Sequence, residues 1–448
     1  MSLKLPAPLA RLLENELLSR IIKNTGYLLS ATGLSAGMSV FQSIFAARLL
    51  GPASFGILGA ITQFTSVANR FASFRMNELV VRYVGKYQED GDLLRAAAVF
   101  KMAALLEVGG SLIALALIWG LAPLGAQYFA QDANLARWFQ LYGLIVIANF
   151  IFETASGLLQ IFDRFRIIAA ATVAQSAITL VLILGIFIAK GDLAAVIIAY
   201  MVGKIAYSLS ISTAALFEAR RNWGSAWWRT PLGILKSERR SLLTFAFSTN
   251  LSSTVSLIAK DSEVLWVSAF LGPTQAGFYK TALAITNLLQ LPISPLPKAT
   301  YPELAREIAR RNWENVRYVL RQGSRLAAIY SIPVTLGLIV FGEWILEISY
   351  GAQYLPAYPA LVVLALGFTF VNIFYWNRVA LLSLSRPVFP TVINAIGMIL
   401  KVTAIFWLAE RFGALAFASL LIAYYVFTNG AAVLRVFADL RTRPRVSV

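Results

Sequence analysis

Long apolar stretches alternate with short polar connections along almost the whole chain. A helix needs about 20 mostly apolar residues to cross a lipid bilayer, and about twelve stretches reach that length. They lie at about 22–47, 55–81, 96–120, 135–161, 167–189, 193–218, 242–269, 277–300, 318–342, 356–383, 388–409 and 413–436. The pattern therefore predicts an all-α, polytopic membrane protein with about twelve transmembrane helices.

A repeated motif divides these segments into two sets of six. The sequence LGPASFG at 50–56 returns as LGPTQAG at 271–277, so Gly51 and Gly272 are 221 positions apart. Gly-Pro favours a sharp turn followed directly by the first turn of a helix. Each copy lies between two apolar segments, which indicates an internal repeat. Because each half crosses the membrane an even number of times, the two repeats are expected to be parallel.

Five parts of the chain follow from this pattern. Apolar residues at helical spacing within 1–21 predict an amphipathic helix on the membrane surface. The rest divides into two six-helix lobes at 22–219 and 242–437, a basic linker at 220–241 and a basic tail at 438–448.

Two further features interrupt the second lobe. A charged stretch at about 302–317 keeps an apolar stripe, and we interpret it as a second surface helix. Pro292, Pro295 and Pro297 predict a kink or a helix end in the eighth segment, because proline removes a helix hydrogen bond.

Composition and charge exclude several classes of function. The chain is 58% hydrophobic and 14% charged, against roughly 25% charged in a typical soluble protein, which leaves no room for a large soluble domain. Its net charge of +17 is concentrated in the even-numbered connections and at both ends. This distribution predicts that both termini are cytoplasmic, and without a polar domain we expect no nucleic-acid partner.

The absence of two residue types excludes further chemistry. The sequence has no cysteine, no histidine and no P-loop motif. Cys/His zinc sites, Cys nucleophiles, His general bases and ATP hydrolysis by this chain are therefore not expected.

Charged and polar residues lie near the middle of several predicted spans. A charge there costs about 2.5–3.5 kcal/mol on insertion scales, so it usually faces protein or water. Lys260 and Glu263 can pair on one helix because they are three positions apart, whereas Asp261 points about 100° away from Lys260 and needs another partner. A slight basic surplus among these residues suits a cavity for an anionic ligand. The set comprises Asn69, Arg70, Arg75, Glu107, Asn149, Glu153, Lys204, Lys260, Asp261, Glu263, Arg378 and Lys401, while Arg48, Glu78, Lys101 and Lys280 lie close enough to a membrane face to reach it.

The residues around the two turns resemble a known family. ARLLGPASFG at 47–56, followed by VRYVGKY at 81–87, is similar to the start of Wzx-type flippases of polysaccharide biosynthesis. These flippases belong to the multidrug/oligosaccharidyl-lipid/polysaccharide exporter superfamily. In the second half, LGPTQAGFY at 271–279 and YPEL at 301–304 fit the same pattern.

The resemblance implies a fold and an activity. Two six-helix lobes related by a pseudo-twofold repeat would form a V, as in multidrug exporters of the MATE type, with a cavity lined by segments 1, 2, 7 and 8. Such proteins move glycans carried on undecaprenyl diphosphate from the cytoplasmic to the outer leaflet of the bacterial inner membrane by alternating access. The glycan would be a repeat unit of lipopolysaccharide O-antigen or of an exopolysaccharide.

The resemblance also implies site residues and partners. By position on the lining segments, and on segment 10 for the last, we expect substrate contacts from Asn69, Arg70, Arg75, Lys260, Lys280 and Arg378. Asp261 and Glu263 would bind a coupling proton or sodium ion. No other cofactor and no metal is expected. The expected partners are the lipid-linked glycan, membrane lipid and the polysaccharide assembly machinery.

Three other functions stay open at this point. A drug or cation exporter of the same fold would favour an acidic cavity, against the basic surplus here. A lipid II flippase often carries segments beyond twelve, and none is predicted. A polysaccharide polymerase or ligase needs a large outer loop, whereas the longest predicted outer loops, near 121–134 and 343–355, hold about a dozen residues. We therefore expect a transporter rather than an enzyme.

Overall fold

The computed structural model describes residues 16–72, 76–238, 240–242, 244 and 257–442, and every regular element in these ranges is helical. Most of the predicted surface helix at 1–21, Arg75 and the end of the basic tail lie outside them. We call the membrane side that holds Gly51 and Gly272 the turn face. The opposite side, where the first helix begins and the last one ends, is the terminal face.

The described residues of the first half of the chain form nine α-helices. They are α1 (Glu16–Ala72), α2 (Met76–Leu79), α3 (Gly85–Glu89), α4 (Leu93–Gly125), α5 (Ala136–Gly143), α6 (Ile145–Ala148), α7 (Phe152–Ile161), α8 (Phe165–Ile188) and α9 (Leu193–Trp223). The long α1 is kinked at Gly51, whose φ of 70° and ψ of 171° are not helical. It therefore crosses the membrane twice, as one arm before the kink and another after it.

The second half contains seven described α-helices. They are α10 (Glu263–Leu271), α11 (Pro273–Leu288), α12 (Leu296–Ala309), α13 (Trp313–Tyr350), α14 (Tyr358–Ile373), α15 (Asn377–Ser383) and α16 (Val388–Arg441). A π-helical turn at Leu257–Asp261 precedes α10. The long α16 is kinked at Gly413, as α1 is at Gly51.

The number of crossings agrees with the predicted plan. Nine described stretches are long and apolar enough to cross a membrane, and the first of them, Gly26–Phe71, contains the kink at Gly51. Separating its two arms gives ten. Within the described residues, the seventh predicted span contains the π-helical turn and α10, and the eighth contains α11 and the start of α12. The protein is an all-α membrane protein of two six-helix lobes.

Two predicted features of the second lobe need correction or refinement. The charged stretch 302–317 is not one surface helix, because α12 ends at Ala309 and α13 begins at Trp313. Between them Arg311 has a left-handed φ of 57°, and the Asn312 side chain accepts a hydrogen bond from the Asn315 amide, which starts the new helix. The proline cluster coincides with a helix end, since the chain is non-helical from Leu289 to Pro295.

The two lobes meet at the turn face through a reciprocal contact between the repeated motifs. A Cβ atom built on Gly56 would lie 2.8 Å from the Gly277 amide nitrogen and closer still to the Pro273 carbonyl oxygen. A Cβ atom on Gly277 would lie 2.9 Å from the Pro52 carbonyl carbon and closer still to its oxygen. The second glycine of each motif is therefore needed because the backbone of the other motif occupies the space of a side chain.

The first glycine of each motif has a different role. Gly51 and Gly272 adopt nearly the same conformation, with φ of 70° and 83° and ψ of 171° and 172°. This region of φ/ψ space is essentially restricted to glycine. Pro52 and Pro273 follow directly, and Pro273 occupies the first turn of α11, where its fixed φ favours helix initiation. The sequence repeat is thus a structural repeat at the level of single dihedral angles.

Hydrogen bonds from side chains reinforce the turn-face contact between the lobes. The Tyr354 hydroxyl donates to the Ala47 carbonyl at 2.9 Å, and the Ser268 hydroxyl donates to the Phe129 carbonyl. Arg48 donates through Nε to the Ser349 carbonyl at 2.7 Å and through a second nitrogen to the Ile348 carbonyl. The Ile348 and Ser349 carbonyls belong to the last turn of α13, where the positive charge of Arg48 also interacts favourably with the helix dipole.

We expect Gly56→Ala and Gly277→Ala each to force the lobes apart at the turn face. Overpacking of a tight contact costs about 1–3 kcal/mol, and here the neighbouring atoms are backbone, which cannot rotate away. The chain has no cysteine, so a single Ser268→Cys substitution provides a probe at a fully buried position. Reaction of this thiol with a water-soluble maleimide should accelerate in both glycine variants.

The matched control is Gly337→Ala, because a Cβ at Gly337 has no neighbour within 4 Å. It should leave the labelling rate unchanged. Unchanged labelling in the Gly56 and Gly277 variants, together with unchanged thermal stability in detergent, would contradict the proposed need for close approach.

Candidate functional site

The second arm of α1 faces the start of α10 across the lobe interface. The Gln63 amide nitrogen donates to the Asp261 carbonyl, and its amide oxygen accepts from the Leu265 backbone nitrogen at 3.2 Å. Asp261 ends the π-helical turn, and Ser262 lies between that turn and α10 with non-helical dihedral angles. The helix is therefore interrupted at this point, and Gln63 from the other lobe forms hydrogen bonds with backbone groups on both sides of the interruption.

An ion pair connects the lobes beside this interruption. Arg70 Nη1 lies 2.6 Å from Asp261 Oδ2, with the two side chains 49% and 36% exposed. Asp261 is therefore paired with Arg70, which agrees with the expectation that Asp261 needs a partner other than Lys260. A charge pair placed at mid-span would be costly in lipid, so its exposure is best explained by a wet space between the lobes.

The exposure also determines how strong the pair is. Exposed ion pairs contribute about 0–1 kcal/mol because water and salt screen them. The Arg70–Asp261 pair can therefore open at little energetic cost, and an anionic group entering between the lobes would compete with Asp261 for the guanidinium. Asn69, adjacent to Arg70, is half-buried.

A second charge pair lies inside the second lobe and is buried. Glu263 accepts a hydrogen bond from the Tyr279 hydroxyl at 2.8 Å and forms an ion pair with Lys401. Lys401 also donates to the Ala259 carbonyl at 2.6 Å. The side chains of Glu263 and Lys401 are 1% and 2% exposed, so this pair connects α10, α11 and α16 within the lobe.

The expected pairing of Lys260 with Glu263 is wrong. Glu263 is occupied by Lys401, and Lys260 is exposed. The physical reason is the π-helical turn at Leu257–Asp261 followed by Ser262 outside the helix. A spacing of three positions places side chains on one face only when the α-helix is continuous. The sequence identifies Lys401 as a charge within a predicted span, but it does not show that Glu263, 138 positions away, is the partner of Lys401.

Lys280 lies in the lobe interface but away from the Arg70–Asp261 pair. Its ammonium group lies 3.9 Å from the centroid of the Phe55 ring and donates to the Phe55 carbonyl at 3.4 Å. Its side chain also lies against Gly59. Gly59 and Arg70 are eleven residues apart on one helical arm, or about 16 Å along its axis. The interpretation that Lys280 reaches a membrane face is wrong, because Lys280 packs between the two lobes.

The remaining candidates do not join this site. Arg378 is exposed on α15, which packs against α12 and α16 inside the second lobe. Glu107 accepts hydrogen bonds from the Glu153 and Thr154 amides at 2.7 and 2.9 Å. Glu107 therefore caps the first turn of α7, where the chain restarts a helix in mid-membrane. Within the described ranges, no group of three or more acidic residues that could hold a metal ion occurs.

Comparison with known proteins now identifies the family. A family model described as Polysaccharide biosynthesis protein matches residues 45–359, which is more than half of the chain. The chain belongs to this family. The matched range begins just before the first Gly-Pro turn and ends within the second lobe, so it includes Arg70, Asp261 and all four glycines of the two motifs.

Two curated relatives have similar sequences. The chain is 24% identical over 355 residues to the inner membrane protein YghQ of Escherichia coli K12, an alignment that covers 76% of this chain and 95% of that protein. It is 22% identical over 340 residues to a protein of Haloferax volcanii named Probable low-salt glycan biosynthesis flippase Agl15, which covers 74% of this chain and 65% of that one.

Solved structures show the same fold at lower sequence identity. An inward-facing multidrug resistance MATE family transporter of the MOP superfamily has a TM-score of 0.73 and 15% identity, covering 92% of this chain and 96% of that one. The lipid II flippase MurJ in an inward closed conformation has a TM-score of 0.71 and 16% identity, covering 93% and 88%. This polysaccharide biosynthesis protein therefore has the two-lobe fold expected from its sequence.

We expect the two charge pairs of this polysaccharide biosynthesis protein to respond differently to substitution. Removing one partner of a buried pair costs about 3–5 kcal/mol, because the other charge stays buried without compensation. Lys401→Met should therefore lower stability strongly, whereas Lys401→Met combined with Glu263→Gln should recover most of the loss. Denaturant unfolding in detergent, with the four proteins of a double-mutant cycle, measures the coupling.

Asp261→Asn provides the comparison for the exposed pair, and it should change stability by no more than about 1 kcal/mol. Equal losses in Lys401→Met and Asp261→Asn, or no recovery in the double variant, would show that the Glu263–Lys401 pair is not the buried structural unit inferred here.

Proposed function

We propose that the chain is a flippase that moves a glycan linked to undecaprenyl diphosphate from the cytoplasmic to the outer leaflet of the bacterial inner membrane. The proposal rests on membership of the polysaccharide biosynthesis protein family and on the likeness to a protein named as a glycan biosynthesis flippase. On this proposal, both termini are cytoplasmic and the terminal face is the cytoplasmic face. The glycan would be an O-antigen or exopolysaccharide repeat unit, handed on to the polysaccharide assembly machinery.

The observation that carries the mechanism is the Arg70–Asp261 pair between the lobes. A diphosphate carries acceptor oxygens that match the bidentate geometry of a guanidinium. It would displace Asp261 from Arg70 and leave the Asp261 carboxylate without its partner. The substrate would thereby remove one of the contacts that join the first lobe to the second.

The freed carboxylate suggests how a gradient could be coupled to this step. Asp261 would take up a proton or a sodium ion once Arg70 is bound to the diphosphate, and would return to Arg70 after the substrate has left. We propose Asp261 rather than Glu263 as the coupling residue, because Glu263 is almost fully buried and already paired with Lys401. Asn69 and Lys260 are adjacent to this pair in sequence, Arg75 lies five positions after Arg70, and all three remain proposed substrate contacts.

Lys280 is proposed to contact the substrate later in transport than Arg70 does, and Arg378 is proposed to contact it more weakly. Lys280 lies between the lobes toward the turn face, so a substrate would reach it only when the reciprocal motif contact opens. Arg378 is exposed on α15, and its proposed role depends on a substrate that also contacts the second lobe.

We expect Arg70→Ala to reduce translocation by about tenfold or more, since a charge-assisted hydrogen bond contributes about 1.5–3 kcal/mol. The assay uses proteoliposomes loaded with a fluorescent undecaprenyl-diphosphate oligosaccharide and an external quencher. Arg95→Ala is the matched control, because Arg95 is 46% exposed and pairs with Asp92, 38% exposed, within one lobe. Wild-type rates in Arg70→Ala would remove Arg70 from the mechanism. Export of small cations without movement of any lipid-linked glycan would instead favour a drug exporter.

We expect Asp261→Asn to make substrate translocation independent of a proton or sodium gradient. Without the competing carboxylate, Arg70 should hold the diphosphate more tightly, while the response of the translocation rate to an imposed proton or sodium gradient should disappear. The measurement compares rates with and without each gradient in wild-type protein, Asp261→Asn and Glu263→Gln. A gradient response that survives in Asp261→Asn but vanishes in a folded Glu263→Gln protein would transfer the coupling role to Glu263.

A further inference from the structure

A second basic site lies in the second lobe, away from the lobe interface. A cavity of about 1110 Å³ opens near the terminal face between the start of α13, the end of α16 and the break between α14 and α15. Arg70, Asp261 and Lys280 are not among its lining residues. Its volume slightly exceeds the roughly 300–1,000 Å³ of typical ligand sites in proteins, so it can hold a polar head group together with part of an apolar chain.

Four arginines line this cavity. Arg317, Arg321 and Arg325 follow at intervals of four on α13, which places them along one side of the helix, and Arg441 completes the set from the end of α16. Arg317 Nη2 donates to the Leu440 carbonyl at 2.7 Å, so it also holds the end of α16 in place.

The other three arginines have no acidic partner among the residues that the structure describes. The nearest carboxylate in sequence to Arg441 is Asp439, and it is already held by Arg386 and Arg435 at 3.4 and 3.3 Å. Arg321, Arg325 and Arg441 are all exposed. Three guanidinium groups directed to one cavity without a protein anion form a strong site for an external anion.

The rest of the cavity is aromatic and apolar. Phe374 and Phe437 both contact the buried Trp376, with ring centroids 6.0 and 5.9 Å away. Trp376 is fixed by a hydrogen bond from its indole nitrogen to the Ser324 hydroxyl at 2.7 Å. Leu320, Ile373 and Ala328 extend this surface. A free phosphate would use only the basic side of such a cavity, whereas a lipid uses both.

We propose that this cavity binds an anionic phospholipid, with its phosphate head group on Arg321, Arg325 and Arg441 and the start of an acyl chain on Phe374 and Phe437. Basic pockets between transmembrane helices recognise anionic head groups in this way, and arginine binds phosphate bidentately. The bound lipid would stabilise the junction of α13 and α16. It does not depend on the proposed transport of a glycan, because the two sites share no residue.

The test measures binding of phosphatidylglycerol and phosphatidylcholine to the purified full-length protein by native mass spectrometry, without any glycan substrate. We expect wild-type protein to prefer phosphatidylglycerol. Arg321→Gln with Arg325→Gln should weaken phosphatidylglycerol binding about tenfold or more, since each basic residue near the head groups contributes on the order of 1 kcal/mol. Phosphatidylcholine binding should stay the same. Arg321→Lys with Arg325→Lys should keep part of the preference.

Arg306→Gln with Arg310→Gln is the matched control. It removes two exposed arginines from the neighbouring α12, where they pair with Glu303 and Glu307, and it should leave the lipid preference intact. Equal phosphatidylglycerol binding in the Arg321/Arg325 variant would overturn the proposal. So would displacement of the lipid by millimolar inorganic phosphate, which would indicate a site for the free anion, or displacement by an equimolar amount of undecaprenyl phosphate, which would make the cavity part of a substrate route.

Discussion

The reciprocal contact of the two Gly-Pro motifs determines how the two lobes are placed. Gly56 lies against the Pro273 carbonyl and Gly277 against the Pro52 carbonyl, so each half of the repeat supplies the surface that the other half needs. Backbone approaches backbone, which fixes the separation of the lobes more tightly than interdigitated side chains would. From this point the second arm of α1 runs beside α10, and that path brings Gln63 and then Arg70 opposite the interruption at Asp261.

The polar groups within the membrane divide into two kinds according to this geometry. Glu263 with Lys401, and Glu107 with the start of α7, satisfy one another inside single lobes and are almost fully buried. Separating Glu263 from Lys401 would leave an uncompensated buried charge, so this pair holds α10 and α16 together in the second lobe. The pair between the lobes is exposed and weak. The structure thus has a buried charge pair within the second lobe and an exposed ion pair between the two lobes.

Much of this architecture could be predicted from the sequence, whereas the pairing of its charges could not. Apolar length gave the spans, and the recurrence of Gly51 and Gly272 gave the repeat, because both depend only on local composition and turn chemistry. The contact between the two copies of the Gly-Pro motif could not be predicted in this way, because it depends on the three-dimensional packing of segments 221 positions apart in sequence. The expected pairing of Lys260 with Glu263 is wrong because a π-helical turn just before α10 changes which residues share a helix face. No pattern in the sequence predicts that turn. Arg317, Arg321 and Arg325 line a cavity because the end of α16 packs beside the start of α13, and their spacing in the sequence does not show that contact.

The alternating mechanism proposed above requires the turn-face contact to open, and the contacts there set the free energy that this opening costs. Besides van der Waals contact, the lobes are joined there by side-chain hydrogen bonds to backbone carbonyls, from Tyr354, Ser268 and Arg48. A neutral bond of this kind contributes a net of about 0.5–1.5 kcal/mol, and a bond from the charged Arg48 about 1.5–3 kcal/mol, because water replaces each bond when the surfaces part. Their sum is a few kcal/mol, similar to the roughly 5.5 kcal/mol of differential binding that moves a two-state equilibrium from 1:99 to 99:1. On the proposed function, a diphosphate bound to Arg70 contributes about 1.5–3 kcal/mol of this through a charge-assisted hydrogen bond, whereas breaking a buried pair such as Glu263–Lys401 would cost about 3–5 kcal/mol more.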